Sequence, residues 1–192
     1  MVSPNGNENW QAGKPKNITW NSYDVDQVKL YFSTDAGTTW SPIALGINAV
    51  DGNYPWTIPS TLRSQKCLIK IVDNSNAAFK DSSDQKFTIS NLSVISPNGG
   101  EILEADSTRI IRWDSANLGL VELEYTSDGT NWISIDSDKR IDANKGEYDW
   151  RLPKINSENF KVRIKSKDDP TIYDESNNFF TVTNEKRIDI TS

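Results

Sequence analysis

Two kinds of side chain in this sequence could do chemistry: closely spaced carboxylates and tryptophans. Acids stand within two residues of one another at Asp24/Asp26, Asp136/Asp138, Asp168/Asp169 and Asp174/Glu175. Paired carboxylates can divide the acid and nucleophile roles of glycoside hydrolysis, or offer oxygen ligands to calcium. No EF-hand or other complete calcium spacing accompanies them. Calcium is therefore kept only as an option for these loops, and no residue is assigned as a metal ligand. The plainer reading is a solvated acidic surface that discourages edge-to-edge pairing of strands. The seven Trp residues could present ring faces to sugars. However, Trp20, Trp40 and Trp56 return as Trp113, Trp132 and Trp150, and Trp10 aligns with Leu103. Apolar identity at recurring positions predicts that every Trp packs in a core.

The absences narrow the chemistry further. The chain has no His and one Cys, Cys67. That removes a His general base, the Ser-His-Asp and Cys-His arrangements, His-ligated metals, an internal disulfide and a Cys-rich zinc site. We assign no catalytic and no cofactor-binding residues and expect a non-enzyme. A formal charge of −6 argues against a nucleic-acid partner. No apolar run approaches the roughly 20 residues that span a bilayer, so direct membrane insertion is not expected.

The carboxylates and tryptophans are positioned by an internal repeat. Ser3-Pro4-Asn5-Gly6-Asn7-Glu8 returns as Ser96-Pro97-Asn98-Gly99-Gly100-Glu101, an offset of 93. Ile18-Thr19-Trp20 returns as Ile111-Arg112-Trp113, and Phe87-Thr88-Ile89 as Phe180-Thr181-Val182, again at 93. Tyr54-Pro55-Trp56-Thr57-Ile58-Pro59 returns as Tyr148-Asp149-Trp150-Arg151-Leu152-Pro153, at 94. Landmarks in fixed order at near-constant offset predict tandem modules at 1–90 and 91–184, with 185–192 either opening a following repeat of a longer array or serving as linker. Only Ser90-Asn91 is left as linker, which predicts a restricted mutual angle.

Within each copy the pattern is that of strands. Val28-Lys29-Leu30-Tyr31-Phe32, Val121-Glu122-Leu123-Glu124-Tyr125 and Phe160-Lys161-Val162-Arg163-Ile164-Lys165 alternate with period two, and both Glu residues point outward. Gly, Asn, Asp and Pro separate about seven short strands per copy, and no window carries a helical stripe. The expected fold class is all-β: two tandem immunoglobulin-like or fibronectin type III-like β-sandwiches.

Ser33-Thr34-Asp35-Ala36-Gly37-Thr38-Thr39-Trp40 resembles the Asp-box of sialidases and other β proteins. Its physics is local: the Asp accepts turn N–H groups, Gly supplies a positive φ and Trp packs beneath. The second copy, Ser127-Asp128-Gly129-Thr130-Asn131-Trp132, is one residue shorter. Together with Ser-Pro-Asn-Gly-Gly-Glu, Ile-x-Trp and Tyr-x-Trp-x-[Ile/Leu]-Pro, these motifs resemble the module of the Ser/Thr-rich GPI-anchored wall-protein family. The resemblance runs from Ser3 to Ile89 and from Ser96 to Val182. Asn7 stands where the pattern has Gly, and Trp10 replaces an aliphatic. The resemblance implies a non-catalytic structural segment of a long extracellular or cell-envelope protein, such as a surface-layer, stalk or adhesin scaffold. Its partners would be neighbouring repeats, other surface proteins or glycans. The alternative is a carbohydrate- or wall-polymer-binding accessory pair, which needs Trp or Tyr exposed in a row on one sheet. Asn17-Ile18-Thr19 and Asn91-Leu92-Ser93 fit the N-glycosylation sequon.

Overall fold

Alternating apolar residues dictate the layers, and the computed structural model describes them for residues 1–135 and 140–184. The pair Asp136/Asp138 and residues 185–192 lie outside the described residues. The chain divides into two compact units, Met1–Asn91 and Leu92–Ser192.

Unit 1 contains β1 (Asn9–Gln11), β2 (Pro15–Thr19), β3 (Gln27–Ser33), β4 (Ser41–Asn48), β5 (Asn53–Thr57), β6 (Ser64–Asp73), β7 (Lys80–Ser82) and the start of β8 (Phe87–Ser96). One layer runs β1, β8, β6, β3, β4, with β7 pairing on β6. Antiparallel β2 and β5 form the other, extended by a bridge between Ser3 and Thr19. Val28 and Leu30 of β3 point inward while Lys29 and Tyr31 between them stay partly exposed, as a period-two strand requires. Between the layers lie Ile18, Trp20, Leu30, Trp56, Ile58, Ile69, Phe87 and Ile89. Trp10 fills the β1 side, its ring centroid 5.0 Å from Phe87.

Unit 2 contains β9 (Ile102–Glu104), β10 (Thr108–Ala116), β11 (Leu120–Thr126), β12 (Ile133–Ser134), β13 (Ile141–Asp142), β14 (Glu147–Arg151), β15 (Ser157–Ser166), β16 (Tyr173–Glu175) and β17 (Phe180–Thr183). One layer runs β12, β11, β15, β17, β9; in the other, β10 pairs with β14 and β8. Ile111, Trp113, Leu123, Trp150, Phe160, Val162 and Phe180 fill the space between. The fold is therefore all-β, a sandwich architecture of immunoglobulin or fibronectin type III kind.

Two features depart from the sequence reading. Ser90 and Asn91, expected as linker, are buried inside β8. Ser90 explains this: its carbonyl accepts the Ala12 N–H at 2.8 Å and its hydroxyl donates to Asn9 Oδ1 at 2.7 Å. Also unanticipated are two 3₁₀ turns, Ala49–Asp51 and Ala143–Lys145. Asn48 and Asp142 cap their starts, and Gly52 and Gly146, both left-handed, end them.

Candidate functional site

The turn that resembles an Asp-box is closed by its own backbone. In unit 1, Asp35 accepts the Thr39 N–H at 2.9 Å, the Thr39 hydroxyl at 2.6 Å and the Ser33 hydroxyl at 2.7 Å. The Gly37 N–H donates to Ser33 Oγ at 2.8 Å. Gly37 has φ 87°, and Trp40 Cζ2 lies 3.4 Å from where a Cβ on it would stand. In unit 2, Asp128 accepts the N–H groups of Thr130 and Asn131 at 2.8 and 2.7 Å and the Asn131 side-chain amide at 2.6 Å. The hydroxyl that completes this turn is Thr126, which donates to Asp128 at 2.9 Å, and not Ser127. Thr126 stands 93 residues after Ser33, so the one-residue contraction falls after the shared hydroxyl. Donors aimed at the carboxylate hold Asp35 down to about 2, the Thr39 hydroxyl most strongly. Asp128 is held lower still, first by the Asn131 side chain.

The Pro-Asn-Gly turn is clamped in the same manner. The Glu8 carboxylate accepts the N–H groups of Asn5 and Gly6, both at 2.7 Å. Glu101 accepts those of Asn98 and Gly99, also at 2.7 Å. A buried serine ties each turn to the adjacent strand. The Ser83 hydroxyl donates to Pro4 O at 2.7 Å, and that of Ser176 to Pro97 O at 2.8 Å. Neither serine stood out in the sequence, although both recur at the repeat offset. Asn7, the departure from Gly, has φ 68°, a left-handed conformation that Asn tolerates.

Five tryptophans are core residues: Trp10, Trp20, Trp56, Trp113 and Trp150. The indole N–H of Trp20 donates to Ala49 O at 3.0 Å, and that of Trp113 to Ala143 O at 2.7 Å. The 3₁₀ turns thus supply the acceptors that buried indoles need. Trp40 and Trp132 are different: each is only half-buried and each carries a cation over its ring. Lys70 Nζ sits 4.1 Å from the Trp40 centroid and Arg163 Cζ 4.1 Å from that of Trp132. The expectation that every Trp is core fails at these two, because both follow turns on the outer face of a sheet.

That outer face is built differently in the two units. On unit 2, Arg163 donates to Glu124 at 2.7 Å, and Lys165 reaches Glu124 at 2.7 Å and Glu122 at 3.5 Å. Glu124 points outward as its strand pattern predicts, yet it is only 8% exposed because both cations fold over it. Burial pushes its carboxyl upward, but hydrogen bonds from Lys165 and Arg163 more than reverse this, and it titrates below the ordinary value. On unit 1 the same places hold Tyr31 and Lys70, with Lys70 Nζ 5.3 Å from the Tyr31 ring.

The acidic pairs are not brought together. Among the described residues no three His, Cys, Asp or Glu side chains converge in a metal-holding group. Asp169 is spent on the Thr171 N–H and hydroxyl, at 3.0 and 2.7 Å. Asp174 accepts the Val94 N–H at 2.9 Å. Unit 1 also has a cleft of about 180 Å³ lined by Trp20, Tyr23, Val25, Val28, Ile71 and Phe79 among others. Phe79 is 65% exposed, whereas Ile172, 93 residues later, is 1% exposed and packs in the core.

Cys67 is buried and free, and burial pushes its thiol up to about 11 from 9.0. The thiolate is the reacting form, so two units of pKa leave roughly a hundredth of it at neutral pH. Ellman's reagent should modify Cys67 in the folded chain at least about a hundredfold more slowly than in urea; equal rates would contradict its burial. The two sequons also separate. Asn17 is exposed on β2 while Asn91 is only 6% exposed. If a glycosylating host secretes the folded chain, glycopeptide mass spectrometry should find a glycan on Asn17 and none on Asn91.

Residues 3–89 match the family model of the Kre9/KNH-like N-terminal Ig-like domain. No curated protein matches the chain. Among solved structures, it is similar to the fibronectin(III)-like modules of Clostridium thermocellum CbhA, at 16% identity over 99% of this chain and 97% of that one, TM-score 0.33. It is also similar to the titin I-band fragment I67–I69, at 11% identity over 92% of this chain and 62% of that one, TM-score 0.39. A third likeness is the four N-terminal Ig domains of Dscam1 isoform 7.44, at 11% identity over 92% of this chain and 42% of that one, TM-score 0.35. No helix among the described residues is long and apolar enough to cross a membrane.

Proposed function

We propose that the two units are tandem copies of one non-catalytic structural module within a long extracellular or cell-envelope protein, of surface-layer, stalk or adhesin kind. The observation that carries this reading is how the recurring polar residues are spent. Asp35 and Asp128 lock turns, Glu8 and Glu101 clamp backbone N–H groups, and Trp20 and Trp113 donate into the core. Side chains that satisfy their own fold are not poised toward a substrate. The Kre9/KNH-like match over residues 3–89 supports a cell-wall setting. So does the resemblance of both copies to wall-protein modules. Neighbouring copies, other surface proteins or glycans are the partners of such a segment.

The test is location. Antibodies raised against the chain should label intact source cells and their wall or envelope fraction. Labelling that appears only after permeabilisation would overturn the proposal.

A further inference from the structure

The outer sheet face of unit 1 differs from its counterpart in a way that packing does not explain. Directly paired residues on neighbouring strands share a face. On unit 2 the register sets Glu122 beside Lys165, and Glu124 beside Arg163 beside Glu175. There three carboxylates face two cations, so each cation has an acid beside it. On unit 1 the corresponding rows are Lys29, Val72, Lys80 and Tyr31, Lys70, Ser82. Three lysines share the face, and neither row contains an Asp or Glu.

Lys70 is the centre of this face. Its ammonium lies 4.1 Å from the Trp40 ring centroid and 5.3 Å from that of Tyr31. Tyr31 holds the place of Glu124, which on unit 2 accepts both cations at 2.7 Å. Lys70 has no ion pair and no hydrogen bond to a protein acceptor among the described residues. Burial, then repulsion from Lys80, lowers its pKa. A half-buried cation gains more from an arriving anion than a solvated one does, because part of its desolvation is already complete. Tyr31 and Trp40 are only half-buried, and the parts of their rings that Lys70 leaves uncovered offer apolar surface to the C–H side of a sugar.

We infer that the Tyr31–Lys70–Trp40 face of unit 1 binds an acidic polysaccharide, with a uronate carboxylate on Lys70 and the pyranose ring against the aromatic pair. Charge complementarity selects the occupant: this face is basic on a chain whose formal charge is −6. A nucleic-acid duplex, with one phosphate per about 1.7 Å, carries a denser charge than three lysines on one face can match. This binding adds a ligand to the structural role and does not rest on it. Cell labelling decides where the protein is; polysaccharide binding decides what this face holds.

The test is affinity electrophoresis and titration calorimetry of the whole chain with polygalacturonate at low ionic strength. Neutral laminarin and poly-glutamate serve as comparison probes. Polygalacturonate should retard the chain, and laminarin should not. Lys70→Met keeps the aliphatic stem and removes the charge; it should weaken binding at least about tenfold, the size expected for one charge-assisted contact. Tyr31→Glu supplies the carboxylate that unit 2 already has and should weaken binding by a similar factor. It decides the matter if Lys70→Met does not fold, with far-UV circular dichroism checking both. Lys154→Met, an exposed lysine of unit 2, should bind as the parent does. No retardation by polygalacturonate would overturn the assignment, as would parent-like binding by Tyr31→Glu. Equal binding of laminarin would remove the cation from recognition. Equal binding of poly-glutamate would make the ligand an acidic peptide and overturn the glycan.

Discussion

Trp113→Ala should destabilise unit 2 by roughly 3–5 kcal/mol, the usual range for deleting a large buried aromatic. Trp113 lies in the core with Ile111, Leu123, Trp150 and Phe160. Removing the indole opens a cavity that surrounding strands fill only in part. It also removes the 2.7 Å hydrogen bond to Ala143 O, although the Ser115 hydroxyl still donates to the same oxygen at 2.7 Å. That leaves packing as the dominant loss. Trp113→Phe isolates the remainder: it keeps an aromatic ring and should cost clearly less. A loss of several kcal/mol removes a large part of the stability of a domain this size. Urea unfolding of the whole chain, with hydrogen exchange read at β11 and β15 amides, measures it. A cost below about 1 kcal/mol would place Trp113 outside the core.

The second large effect is at the Pro-Asn-Gly turn. A Cβ on Gly99 would stand 2.5 Å from Asn178 Cβ and 2.9 Å from Asn178 Cα and O. Two of those three atoms are backbone and cannot rotate away. The φ of 123° adds strain for any L side chain. Gly99→Ala should therefore cost about 3 kcal/mol, overpacking and backbone strain each contributing in their usual 1–3 kcal/mol range. Gly100 next to it is the control. Its φ is 84° and nothing lies within 4 Å of an added Cβ, so Gly100→Ala should cost only about 1 kcal/mol. Equal costs in thermal unfolding would show that the close approach to Asn178 is not what requires glycine. The same contrast accounts for the first copy. Asn7 replaces the second glycine there, while Gly6, 2.5 Å from Gln85 Cβ, is retained.

The strand layers were legible because alternation and repeat offset carry them. Val28, Leu30 and Val121, Leu123 face inward as read. The Asp-turn was legible because its chemistry is local to a few residues. Trp40 and Trp132 were misread for a physical reason: apolar identity at recurring positions says that a ring is covered, not by what. Here a lysine stem and a guanidinium do the covering. Glu124 shows the converse, an outward strand position made nearly inaccessible by its cross-strand neighbours Arg163 and Lys165. The roles of Ser83 and Ser176 depend on bonds to residues 79 positions away, and no local pattern announces these. The 3₁₀ turns left only weak traces, an Asn or Asp before them and a Gly after.

The proposal that recurring polar residues are spent on building the units is tested most directly at the two turn carboxylates. Asp35 is held at about 2 against an ordinary 3.8, and Asp128 lower still. A carboxylate whose folded pKa is depressed stabilises fully above its unfolded value, and that stability is lost as pH falls toward the folded one. The melting temperature of the parent chain should therefore fall as pH drops from about 4 to about 2. The measurement is the melting temperature of the Asp35→Asn/Asp128→Asn double variant across that range and at pH 7. We predict that it melts lower than the parent at pH 7 and shows a smaller fall in acid, the remainder coming from Glu124, Asp73 and Asp81, whose pKa values are also lowered. A double variant that matches the parent at pH 7 and follows it down to acid would contradict the claim.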